Sequence, residues 1–177
     1  MAIASVSATG RGATDHLLKS VVARLKEEGC RVLGTLRLVE PSEAAGHCGC
    51  NLWLLPDGPL VRITQDLGAG STSCRMDAGA MEDAVGQATA RLATQGADLV
   101  VLNKFGLSEA EGRGFRAMIA EALACGVPVL IGVSETHRGA FERFAGGLDE
   151  SLPPEEGAIL DWCRTVAGSR SSNSAGV

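Results

Sequence analysis

Short continuous apolar runs alternate along this chain with segments whose apolar residues recur at helical spacing, and that alternation admits few folds. Ala2 to Ser7, Val32 to Val39, Leu99 to Leu102 and Val127 to Val133 read as strands. Between them, Leu17, Leu18, Val21, Val22 and Leu25 share one helix face, and Gly29 stops that helix. Met81, Val85, Ala88 and Leu92 mark a second helix before Gly96, and Phe115, Met118, Ile119, Ala122 and Leu123 a third before Gly126. Two short helices close the chain, around Thr136 to Phe144 and Pro154 to Val166. A strand buried on both faces reads as an unbroken apolar run, and strand–helix alternation builds a parallel sheet between helical layers. The expected fold is therefore a three-layer α/β domain with a mostly parallel sheet. One interruption is expected: Leu52 to Leu55 and Leu60 to Ile63 flank Pro56-Asp57-Gly58-Pro59, the chemistry of a β-hairpin inserted after the second strand.

At 177 residues the chain suits one domain, over 1–167, followed by a disordered tail over 168–177 (GSRSSNSAGV) with no apolar periodicity. Sixteen basic against 21 acidic residues give a formal net charge of −5, with no basic stripe for nucleic acid. Aromatic residues are 3% of the chain and tyrosine is absent, which argues against a base-stacking platform. The start, MAIASVSATG, lacks the pattern of a secretory signal, and no apolar run reaches the roughly 20 residues that span a bilayer. The expected location is the cytoplasm, with the six cysteines reduced and no membrane partner.

The first strand runs into Ser7 to Thr14, SATGRGAT, ahead of a helix. A phosphate-cradling P-loop needs G-x-x-x-x-G-K-[ST] in that setting: backbone N–H groups and the helix N-terminus face the phosphates, Lys adds charge, and the hydroxyl ligates Mg²⁺. The frame matches at Gly12 and Thr14 but has Ser7 for the first Gly and Ala13 for the Lys. One reading is a degenerate anion cradle built from Gly10, Arg11, Gly12, Ala13 and Thr14, with Arg11 supplying the charge that Ala13 lacks. The other is a plain tight turn in which Thr14 or Asp15 caps the helix.

The third run delivers Asn103 and Lys104 to the sheet edge where such folds place their chemistry. The dipeptide invites comparison with the guanine-reading N-K-x-D, but Gly106 stands where the base-pairing Asp belongs. An acidic pair here would hold Mg²⁺. With Asn103 and Lys104 the local charge moves from −2 to +1, and a neutral amide holds Mg²⁺ poorly. Such a site favours a small tetrahedral oxyanion bound without metal. The plain alternative has Asn103 capping the next turn and Lys104 in solvent. Ser108 to Arg116 reads as a mobile loop with Arg113 or Arg116 near the site.

The Gly- and Ser-rich stretch from Asp66 to Arg75 reads as irregular and exposed, with Arg75 a further anion-binding candidate. Asp77 is placed to cap the helix that follows. His47, Cys48, Cys50 and Cys74 form a candidate soft-metal set, although C-x-C spacing is far less diagnostic than paired C-x-x-C. Cys30, Cys125 and Cys163 sit in or beside helices and read as structural. The apolar hairpin with Trp53 is a candidate homo-oligomer contact or an ordinary core element.

Gln65-Asp66-Leu67-Gly68, Cys74-Arg75-x-Asp77, Asn103-Lys104-Phe105-Gly106 and Glu109-x-x-Gly112-Arg113 resemble an uncharacterised bacterial family, over nearly the whole chain to about Trp162. Its genes typically lie beside molybdenum-transport and molybdenum-enzyme genes. That family is in turn similar to the small THEP-type P-loop nucleoside triphosphatases, which carry an acidic D-E-x-G at the position of Asn103 to Gly106. The resemblance implies a P-loop-NTPase-like fold and a link to molybdenum metabolism, without implying triphosphatase activity. Three functions follow as expectations. The first is a small-oxyanion-binding protein taking molybdate, tungstate or a phosphate-like ligand. The second is a Mg²⁺-dependent nucleoside triphosphatase in which Glu109 or Asp66 replaces the missing carboxylates. The third is a ligand-free partner of molybdenum-enzyme or transport proteins.

Overall fold

The computed structural model describes residues 2–38, 50–65 and 76–173, with side chains described as far as 168. Seven strands form one sheet: β1 (Ile3–Val6), β2 (Val32–Leu38), β3 (Asn51–Leu55), β4 (Leu60–Arg62), β5 (Leu99–Phe105), β6 (Val129–Val133) and β7 (Asp149–Leu152). Six helices connect or flank them: α1 (Ala13–Glu27), α2 (Ala78–Gln95), α3 (Leu107–Ala110), α4 (Arg116–Ala124), α5 (Glu135–Ala145) and α6 (Glu156–Asn173).

The spatial order is β4-β3-β2-β5-β6-β1-β7. The five strands from β2 to β7 in that order run parallel, while β3 pairs antiparallel with β2 and with β4. This is a P-loop-NTPase-like α/β architecture with the expected hairpin appended at one edge. Leu18, Val21, Val22 and Leu25 of α1 pack with Ile159 and Cys163 of α6 on one sheet face. Ala84, Ala88 and Leu92 of α2, Met118 and Ile119 of α4, and Phe141 of α5 cover the other. Val100, Val101, Val129, Leu130 and Ile131 are wholly buried, so both faces of the central strands are dry.

The chain leaves β1 for α1 on one face and leaves β6 for α5 on the opposite face. The carboxyl ends of these neighbouring strands therefore open a crevice at a switch point of the sheet, where ligands of open α/β sheets bind.

Several local details depart from the sequence reading. β7, DESL, has no apolar run because it is a mostly exposed edge strand, paired on β1. The charged stretch after β5 is not an unstructured loop: it contains α3 and is pinned at both ends by a buried carboxylate. Helix α6 runs through Asn173, past the expected start of the tail at 168, and residues 174–177 lie outside the described residues. The hairpin's Trp53 is half-buried against the α1 face, with the Lys26 ammonium 5.8 Å from its ring, so it has an intramolecular role. Asp77 caps α2 as expected, its Oδ1 accepting from Ala80 N–H at 3.0 Å. Among the described residues, no helix is long and apolar enough to cross a membrane.

Candidate functional site

The turn between β1 and α1 walls a cavity of about 470 Å³ at the switch point. Gly10 and Gly12 take positive φ of 112° and 74°, a conformation that costs side-chain-bearing residues but not glycine. Gly12 is the N-cap of α1, without a side-chain cap bond. Inside the turn, Thr14 Oγ1 accepts from Ala8 N–H at 2.9 Å, and Ala13 N–H closes onto the Gly10 carbonyl at 3.3 Å. Gly10, Gly12 and Thr14 line the cavity.

Arg11 and Ala13 do not. The exposed Arg11 lies outside the wall, and the Ala13 N–H is spent within the turn, so three of the five residues named for the expected cradle line this cavity.

Asn103 and Lys104 enter the same wall from β5, and the reason is a bulge. Leu102 pairs with Ile131 and Phe105 with Val133, so three residues of advance on β5 match two on β6. Successive side chains of a regular strand point to opposite faces, whereas a bulge re-aims them. Here Asn103 and Lys104 both line the cavity. Gly132 makes this possible: a Cβ at that position would sit 2.1 Å from the Asn103 carbonyl oxygen and 3.0 Å from Thr14 Cγ2. Of the plain alternative, the cap does not hold, because Gly106 is the N-cap of α3, whereas Lys104 is exposed to solvent as that alternative had it.

Arg37, at the end of β2, is a lining residue that the sequence reading missed, as are Ser134 and Glu135 at the start of α5. Its guanidinium lies 3.9 Å from the Asp15 carboxylate. The available signal was positional: a cation two residues from the carboxyl end of an apolar strand. Two carboxylates, Asp15 and Glu135, also line the cavity, and Glu135 pairs with Arg138 at 3.3 Å. Among the described residues, Lys104 alone of the four charged lining groups forms no ion pair.

Glu109 has a different task from the one expected of a catalytic carboxylate. It is 3% exposed, its Oε2 accepts from Gly106 N–H at 2.9 Å, and its Oε1 accepts from Phe115 N–H at 3.0 Å. Both oxygens thus staple the chain across α3. Gly114, at φ 58°, passes so close that a Cβ would lie 2.3 Å from Oε1, which explains a glycine there. Arg113 pairs with Glu111, and Arg116 donates to the Glu109 carbonyl at 3.2 Å and stacks over Phe144 at 4.7 Å. Neither arginine lines the cavity.

A second cavity of about 290 Å³ adjoins the first and shares its Arg37, Asn103 and Lys104 wall. Leu52, Ile63, Met76, Met81 and Phe115 make it largely apolar. Cys50 lies on its wall, while His47, Cys48, Cys74 and Arg75 lie outside the described residues, as does Asp66. Among the described residues no cluster of three metal-ligating side chains forms. Away from the site, burial pushes the Cys163 thiol up to about 12, and burial with the nearby Asp98 carboxylate pushes Cys30 up to about 11. These are unreactive packing groups, as their helix positions suggest.

A family model described as "Protein of unknown function (DUF2478)" matches residues 3–162. The chain belongs to this family. Every described element from β1 to the first turns of α6 falls inside that match, including the turn, the bulge and the Glu109 staple. The chain is also 35% identical over 153 residues to a protein of Bradyrhizobium diazoefficiens named "Molybdenum import ATP-binding protein ModC 2". That alignment covers 86% of this chain but only 17% of the relative, so most of the relative has no counterpart here. No solved structure matches the chain.

Proposed function

We propose that this protein binds a tetrahedral oxyanion, such as molybdate, tungstate or a phosphate-like group, and serves molybdenum metabolism in the cytoplasm. The observation that carries the reading is Lys104, which lines the switch-point cavity and pairs with no carboxylate among the described residues. A dianion beside it would meet the Arg37 guanidinium, the Thr14 hydroxyl and the N-terminus of the 15-residue α1, whose dipole favours negative charge. Charge and acceptor groups suited to Mg²⁺ are not presented by Asn103 and Lys104, which occupy the strand end where an acidic pair would hold the ion. The molybdenum link rests on the relative named as an import ATP-binding protein, in which a segment like this chain is part of a much longer polypeptide.

Titration calorimetry with molybdate, sulfate and ATP, with and without Mg²⁺, tests the reading. Heat with molybdate that is indifferent to Mg²⁺ is expected. Binding of Mg²⁺-ATP without any response to molybdate would sink it.

One observation favours a second reading. Asp15 and Glu135 are carboxylates on the cavity wall, and a volume of about 470 Å³ accommodates a nucleoside phosphate. A triphosphatase on this frame would use those two groups, not Glu109, whose oxygens are committed to backbone N–H groups. It would release phosphate only with Mg²⁺ and would lose that activity in Asp15→Asn or Glu135→Gln.

A further inference from the structure

The two cavities meet along a shared wall, and their chemistry differs on its two sides. On the first side stand the glycine turn, Thr14 and Ser134; on the second stand Leu52, Ile63, Met81 and Phe115. Arg37, Asn103 and Lys104 border both. The link extends to the far rim, where Ser134 of the polar cavity and His137 of the apolar cavity are joined by an Oγ···Nδ1 hydrogen bond of 3.0 Å. The single carboxylate of the apolar cavity, Glu109, has both oxygens held by backbone donors, so it is fixed in place and turned to the Gly106 and Phe115 amides.

A free tetrahedral ion would use only the polar half. We propose that the pair of cavities is one two-part site for an organic phosphate: the phosphate lies between Lys104, Arg37 and Thr14, and a flat aromatic or heteroaromatic group lies in the apolar half. This rests on the anion-binding reading above and adds the class of molecule that carries the anion. Apolar surface removed from water contributes favourably to binding, and a pocket lined by Met and Phe side chains accepts aromatic faces. Met76 and Met81 are adaptable walls for such a ring: Met76 is 53% exposed and Met81 is half-buried on α2.

The test compares inorganic phosphate, 1-naphthyl phosphate and AMP by titration calorimetry on the full chain. 1-Naphthyl phosphate or AMP is expected to bind about tenfold or more tightly than inorganic phosphate, where tenfold corresponds to about 1.4 kcal/mol. Met81→Gln and Met76→Ser should each erase most of that surplus while inorganic phosphate keeps its wild-type affinity. Preference between the two esters identifies the source, with AMP ahead pointing to nucleotides and naphthyl phosphate ahead pointing to a ring attached close to the phosphate. If inorganic phosphate binds but neither ester binds more tightly, the two-part site is wrong and the oxyanion reading stands. If the surplus survives both substitutions, the ring is not in the apolar cavity and the proposal is overturned. If none of the three binds while molybdate does, the two-part site is overturned and the oxyanion reading stands; if molybdate fails as well, both readings fall.

Discussion

Replacing Glu109 separates a structural staple from a catalytic carboxylate, because the two roles predict opposite readouts. The carboxylate is 3% exposed and accepts Gly106 N–H at 2.9 Å and Phe115 N–H at 3.0 Å. Glu109→Ala leaves two backbone donors without an acceptor in a dry site, each at a cost of roughly 1–3 kcal/mol. Part of this is offset because a buried charge is no longer carried, so the net destabilisation should be about 3 kcal/mol. Glu109→Gln keeps one carbonyl oxygen for one donor and sets an NH₂ against the other, so it should cost about half as much. Urea unfolding followed by circular dichroism measures both, and the midpoint should fall in the order wild type, Gln, Ala with an unchanged slope. A Glu109→Gln variant that unfolds like wild type while abolishing a Mg²⁺-dependent phosphate release would make Glu109 a catalytic carboxylate and not a staple.

Two further outcomes follow from the packing. Gly132→Ala places a Cβ 2.1 Å from the Asn103 carbonyl oxygen, so the β5 bulge must shift; destabilisation of about 1–3 kcal/mol and loss of anion binding are expected, and a variant that binds molybdate normally would show that the bulge does not aim Lys104. The Cys163 thiol is raised from about 9.0 to about 12 by burial, so the unfolded chain loses that proton first as pH rises. Its contribution is intact below pH 9.0 and declines as pH climbs toward 12, so Cys163→Ala should flatten the alkaline fall in thermal stability; an unchanged alkaline profile would contradict the assignment.

The layers of the fold were legible because the physics that builds them is local. Leu18, Val21, Val22 and Leu25 repeat at helical spacing and cover one face of the sheet, and the continuous run of β6 is buried on both faces. Pro56-Asp57-Gly58-Pro59 carried the hairpin in its turn chemistry. β7 was not legible, since an edge strand needs no apolar run when one neighbour and solvent supply its environment. The site was legible only by halves. Gly10, Gly12, Thr14, Asn103 and Lys104 converge as their places in the chain implied. Arg11, exposed between two positive-φ glycines, is not part of that wall. Arg37 and the bulge depend on which strand neighbours which, and that is a property of the assembled sheet. For the bulge, the sequence clue was Gly132, a lone glycine in a strand marking a close backbone approach.

In the proposed function, Lys104 and the first turn hold an oxyanion together. Crystals grown with tungstate test it most directly, because the heavy atom reports its own position by anomalous scattering. One strong peak is expected in the switch-point cavity, within hydrogen-bond reach of Lys104 Nζ and Thr14 Oγ1, and it should be lost in Lys104→Ala. Tungstate bound elsewhere, or a peak that persists undiminished in Lys104→Ala, would contradict it.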